Sequence, residues 1–195
     1  MPTFDLRGIK VAKYVNTSGV ITYLTPTAMG DAMNVGLELK FAEGRLYAEG
    51  TLAEYLKRAT GGTISSGVKY IPDAAQKMLY GCEESSRVVG TGSPTKTITG
   101  LKFGAKNKAG YVGVAFYAPD EIDSVDKFTC VFVHKALFGP PAMKLAGVEG
   151  NSITFQTPTT TGEFLADDGI GKFFFETGVA DTEADAISWV NEVLK

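Results

Sequence analysis

Apolar and polar residues alternate most cleanly between Val35 and Phe41. Val35, Leu37, Leu39 and Phe41 fall on one side and Glu38 and Lys40 on the other, the period-two pattern of a strand with one buried face. Leu6 to Val15 reads as a second strand, with Ile9, Val11 and Ala12 apolar among Arg7, Lys10 and Lys13. Asn16-Thr17-Ser18-Gly19 is turn chemistry, and Val20 to Leu24 follows as its hairpin partner. Thr63 to Tyr70 sets Thr63, Ser65, Gly67 and Lys69 against Ile64 and Val68. Tyr111–Tyr117 and Lys127–Lys135 are apolar on both faces near their centres, as expected of central strands covered on each side. Between them, Asp120 to Asp126 reads as an acidic loop. Arg87–Gly92, Lys96–Phe103, Ser152–Thr157 and Gly171–Glu176 are weaker strand candidates.

Two segments have a helical period instead. Pro72 to Tyr80 reads as a short helix: proline suits a first turn, Asp73 favours the positive N-terminal end, and Gly81 is placed to stop it, with Ala75, Met78 and Leu79 toward the core. At the C-terminal end, Asp181 and Thr182 offer a cap, and Glu183 and Asp185 favour the start of a helix. Ala186, Ile187, Trp189, Val190, Val193 and Leu194 make its broad apolar face, which must dock on a neighbour such as the preceding sheet. Glu43 to Gly62 is ambiguous. Leu52, Tyr55, Leu56 and Ala59 have helical spacing, but Glu43-Gly44 and Gly61-Gly62 break structure, so the segment reads as a long excursion between two strands, with a helical turn as one option.

Many strands, one short internal helix and a terminal helix, without strand–helix alternation, predict a mainly β (α+β) fold. The expected form is an antiparallel β-sandwich or partial barrel with helices packed at its side, in a single domain over 1–195 with an inter-strand arm at about 43–62.

With 44% hydrophobic and 21% charged residues, the 195-residue chain has the composition of a globular protein rather than a disordered or fibrous one. Its 19 basic residues are scattered among 22 acidic ones, giving a net charge of −3 without the cationic cluster that tight DNA binding requires. No apolar run is long enough to span a bilayer, and the first residues, Met1 to Asp5, lack a secretion signal. Cys82 and Cys130 read as isolated thiols rather than as a disulfide framework.

Candidate chemistry is sparse. Gly90-Thr91-Gly92-Ser93-Pro94-Thr95-Lys96-Thr97 resembles a P-loop, but Thr95 stands where the second glycine belongs and the segment after it reads as a strand, so a turn explains it better. His134, the one histidine, lies inside an apolar strand, and one histidine with two distant cysteines leaves no zinc set. The Asp120–Asp126 segment lacks the glycine and terminal glutamate of an EF-hand loop. No catalytic, cofactor-binding or metal-binding residue is expected.

The order of several segments carries a resemblance. Leu46–Gly50 and Thr60–Ile64 are followed by Ile71–Gly81, Gly110–Phe116, Phe132–Phe138, Ile153–Pro158 and Glu183–Asn191. This series, spanning roughly residues 35–195, resembles the major tail (tail tube) proteins of siphophages and prophages of Gram-positive bacteria. That resemblance implies a structural virion protein made in the host cytoplasm, without cofactor. Its subunits would form stacked hexameric rings, and DNA would pass through the tube without specific binding. The implied partners are further copies of the chain together with tape-measure, tail-tip and tail-terminator proteins. On this expectation Leu46, Tyr47, Leu52, Tyr55 and Leu56 anchor an inter-subunit arm, and Glu38, Lys40, Thr63, Ser65 and Lys69 face the lumen. Other readings are the tube of a contractile tail, tailocin or type VI secretion-like system, a monomeric β-sandwich binding module, and an enzyme on a β scaffold.

Overall fold

The computed structural model describes residues 5–48, 51–90, 95–122, 124–141 and 157–195. Ten strands and two helices follow in the order β1 (Arg7–Thr17), β2 (Val20–Ala28), β3 (Ala32–Ala48), β4 (Thr51–Val68), α1 (Asp73–Tyr80), β5 (Glu83–Val89), β6 (Lys96–Lys102), β7 (Val112–Ile122), β8 (Val125–Phe138), β9 (Thr159–Phe164), β10 (Phe175–Ala180) and α2 (Glu183–Glu192). The fold is mainly β, with antiparallel pairing at every described ladder. Eight strands form one sheet in the order β2-β1-β7-β8-β9-β4-β3, with β10 also pairing β8, while β5 and β6 form a separate two-stranded ribbon.

The doubly apolar strands occupy the middle of that order, as their sequences require. On one face Ile9, Val11, Val112, Val114, Val133, Ile64, Phe138 and Phe164 pack with Ala75 and Leu79 of α1. On the other, Ala12, Ala115, Tyr117, Cys130 and Phe132 pack with Ala186 and Val190 of α2 and with Leu194 just beyond it. The sheet therefore buries both faces near β7 and β8, where each helix removes apolar surface from water. Helix α1 ends on Gly81, whose positive φ of 64° directs its N–H to the Lys77 carbonyl at 3.0 Å. Helix α2 begins with Thr182 Oγ1 accepting the Asp185 N–H at 3.2 Å. Ile187, expected on the buried face, is exposed.

Four expectations are corrected. Residues 43–48 and 51–62 are neither loop nor helix but the continuation of β3 and β4 as paired strands, from Glu43↔Lys57 to Ala48↔Thr51. Cross-strand pairing overrides the helical spacing of Leu52, Tyr55 and Leu56, and Gly61-Gly62 marks a bulge beside Lys40/Phe41 rather than a break. A Cβ on Gly62 would collide with the Phe164 ring and the Glu38 carbonyl, so glycine is required by close approach. The acidic Asp120–Asp126 segment is a tight strand-to-strand turn, with Asp120↔Lys127 and Glu121↔Asp126 paired across it. The last strand runs Phe175–Ala180, later than the Gly171–Glu176 expected. Finally, the alternation of Val35 to Phe41 stops early: Val35 and Leu37 pack on the core, whereas Leu39 and Phe41 are exposed past the core's edge. The expected strand Ser152–Thr157 lies, apart from Thr157, outside the described residues.

Candidate assembly surface

The main strand path ends in two border strands that are built differently, while the six-residue β10, paired with β8 alone among the described residues, forms a third, short border. In β2, Pro26 removes a backbone donor and Thr25 has a left-handed φ of 58°, both features that only a border strand tolerates. The Tyr23 N–H donates to the Lys195 carbonyl at 2.9 Å, so the C-terminal end of the chain covers part of this border. Strand β3 is 17 residues long, contains no proline and has β4 as its one strand partner among the described residues. Such a row of open N–H and C=O groups is a template for pairing with another chain.

Beyond Phe41 the β3–β4 hairpin leaves the body of the protein, and every described residue of β3 from Glu38 onward is exposed. Leu46 (58% exposed), Tyr47, Leu52, Tyr55 and Leu56 (57%), the five arm anchors expected from the sequence, all lie on this projecting hairpin with large exposed side chains. The pairings Gly44↔Leu56 and Leu46↔Glu54 place Leu46 and Leu56 as diagonal neighbours on one face. The opposite face carries a ladder that sequence reasoning did not foresee. Lys57 Nζ lies 4.4 Å from the Phe41 ring centroid and 3.2 Å from Glu43 Oε1, and Arg45 lies 5.6 Å from the Tyr55 ring and 3.7 Å from Glu43. Hydrogen bonding from Tyr55 and Lys57 holds the Glu43 carboxyl below its ordinary range. The two faces thus differ: one pairs its charges internally, the other offers leucine.

The polar residues expected to face a lumen are largely brought together. Glu38 stands opposite Thr63, which stands opposite Glu163 of β9, and Ser65 lies between Gly36 and Thr161. Lys40 Nζ meets Glu163 Oε1 at 2.6 Å. Lys69 lies past the end of β4, 3.9 Å from Asp31, apart from the other four. Glu163 and Thr161 belong to the same face but were missed, because β9 was not recognised as a strand.

The other candidate groups are structural in their contacts. His134 sits beside the Phe132 and Phe173 rings with Nδ1 3.2 Å from Asp167 Oδ2, while Asp167 Oδ1 accepts the N–H groups of Gly169 and Phe173. Lys135 bonds Asp168 at 2.7 Å beneath the Tyr14 and Tyr111 rings, and this pairing keeps the Asp168 carboxyl below its ordinary range. Together these contacts pin the segment between β9 and β10 onto the sheet. Cys82 and Cys130 are free and buried, and burial raises both thiols. Among the described residues no cluster of three or more metal-ligating side chains occurs, and no helix is long and apolar enough to cross a membrane. The open hollow between the start of β1 and the β2–β3 connection, about 330 Å³, is lined by Arg7, Lys10, Asp31 and small or apolar neighbours. No protein-family model matches the chain, and a search of curated proteins finds no match.

Proposed function

We propose that this chain is a structural subunit of a phage tail: the major tail-tube protein of a long, non-contractile tail, which assembles into stacked hexameric rings around a conduit for DNA. The observation that carries the reading is the long β3 border, whose 17 residues have no proline and no covering strand among the described residues, whose charged Lys40, Glu43 and Arg45 are paired within the protein, and whose far end is an arm that exposes Leu46. A monomeric protein has reason to shorten, charge or cover such a border; a ring subunit uses it, meeting a different surface of the next copy until the circle closes. The order of sequence segments that resembles the tail-tube family supports the same role.

Within this reading Glu38, Lys40, Thr63 and Ser65 line the bore and Lys69 stands at its rim. Lys40 is already neutralised by Glu163, so the lining presents few unpaired cations to phosphate and DNA slides without being held. The chain acts without chemistry of its own and without cofactor, inside the virion, with tape-measure, tail-tip and tail-terminator proteins at the ends of the tube.

The arm is the part to test. Replacing residues 44–56 with a two-residue Asn-Gly turn preserves the Glu43↔Lys57 closure and the body of the sheet. The expected product is a folded monomer with an unchanged melting temperature that forms no rings or tubes. Tube assembly equal to that of the unaltered chain would refute the role given to the arm.

A further inference from the structure

The β5–β6 ribbon is the second feature that the body of the protein leaves unsupported. Among the described residues it pairs with no strand of the main sheet. Two-stranded ribbons standing alone in water are marginal. Yet this one exposes Val88 and Val89, as well as Ile98 at 60%. Its two acids lie near its base, where Lys102 stands opposite Glu83. Glu84, near the base, is paired with Lys77 of α1 at 2.5 Å, and Glu83 is next to it. Toward the tip stand Arg87 and Lys96, and the register Arg87↔Ile98 and Val89↔Lys96 places these four residues on one face. The outcome is an apolar surface flanked by cations, neither of which has an ion-pair partner among the described residues.

The β7–β8 turn is its complement. Glu121 and Asp126 stand directly opposite each other across the ladder. The nearby lysine, Lys127, is engaged by Asp181 at 2.9 Å. Ile122 and Val125 close the turn, and Val125 is 54% exposed. This end of the protein therefore combines an exposed Val125 with two facing carboxylates.

The two features lie far apart along one strand. Residues 103–111 lead from β6 into β7, and the Gly81 carbonyl at the base of the ribbon accepts the Asn107 side-chain amide at 2.6 Å. The ribbon thus joins the body near the first residue of β7, and the acidic turn closes the last. At about 3.3 Å per residue, the 11 residues of β7 separate them by roughly 33 Å. The basic residues stand toward the tip of the ribbon, and the acidic turn lies at the end of β7 away from the ribbon's base. Joined between copies, the two would form a head-to-tail contact, the kind that repeats without closing.

We propose that the β5–β6 ribbon of one copy docks on the β7–β8 turn of a copy in the next layer, with Arg87 and Lys96 set against Glu121 and Asp126. This deepens the tube reading and rests on it: it names the contact that sets one ring on another. Charge complementarity between Arg87 and Lys96 on one surface and Glu121 and Asp126 on the other selects a second copy of the chain as the occupant.

The test is reciprocal charge reversal, read by sedimentation of assembled tubes and by the size of the smaller species that remain. E121K/D126K and R87E/K96E are each expected to lower sedimentable tube at least tenfold while leaving ring-sized particles and the melting temperature unchanged. All four substitutions in one chain are expected to restore tube to within twofold of the original. Tubes unaffected by either reversal, or a fourfold variant that stays as ill-assembling as its parents, would overturn the ribbon–turn contact alone. An unaltered chain that forms neither rings nor tubes would overturn the conduit reading beneath it.

Discussion

The two ends of the main strand path, β2 and β3, face the same hazard and meet it differently. Strand β2 is 9 residues long, carries Pro26 and a left-handed Thr25, and is partly covered where Tyr23 bonds Lys195. Strand β3 is nearly twice as long, runs without proline and lacks any strand on its outer side among the described residues. Conditions that protect β2 against association are absent from β3, although both are made by one chain in one sheet. The difference teaches that one end of the path carries features that hinder pairing, while the other lacks a further strand partner among the described residues and runs on into the projecting hairpin.

The largest expected effect tests whether the body beneath β3 is rigid enough to present that border. Phe164 of β9 is fully buried, packs edge-on to Phe174 and Phe175, and fills the space left by Gly62. Phe164→Ala should cost about 3–5 kcal/mol, from lost burial and the cavity left behind. It should be seen as a lower urea midpoint with assembly falling in parallel. A loss under about 1 kcal/mol would mean that β9 does not anchor the open side. The smallest expected effect concerns the guarded border. Pro26→Val gives β2 back one N–H donor, but the Thr25 kink and the Lys195 contact stay in place, so stability should change by no more than about 0.5 kcal/mol. Light scattering of the concentrated protein should rise only slightly. Heavy aggregation from this single change would show that Pro26 alone guards β2.

Much of this architecture was legible in the residues. The alternation of β1, the first half of β3 and the second half of β4 marks strands with one buried face, and the doubly apolar β7 and β8 announce a sheet covered on both sides. Both helices were readable from their caps. The arm was harder, because Leu52, Tyr55, Leu56 and Ala59 match a helical period by accident and what makes them strand is register with β3, a long-range property. Strand β9 was illegible for another reason. Its alternation is clean, but Thr160 and Gly162 hold two of the three buried positions, so hydrophobicity carries no period there. With β9 hidden, Glu163 could not be set beside Thr63 and Lys40. The five arm anchors were nameable as large apolar residues in a long connection; the Glu43–Lys57–Arg45 ladder on the reverse face was not, since it depends on which residues stand opposite one another.

The central claim is that copies of this chain complete one another's sheets. Negative-stain electron microscopy of the purified protein, concentrated step by step, tests it most directly. The account predicts rings of uniform diameter with a stain-filled centre, passing into tubes as concentration rises. Dispersed single molecules at every concentration, with no ring at any step, would contradict it.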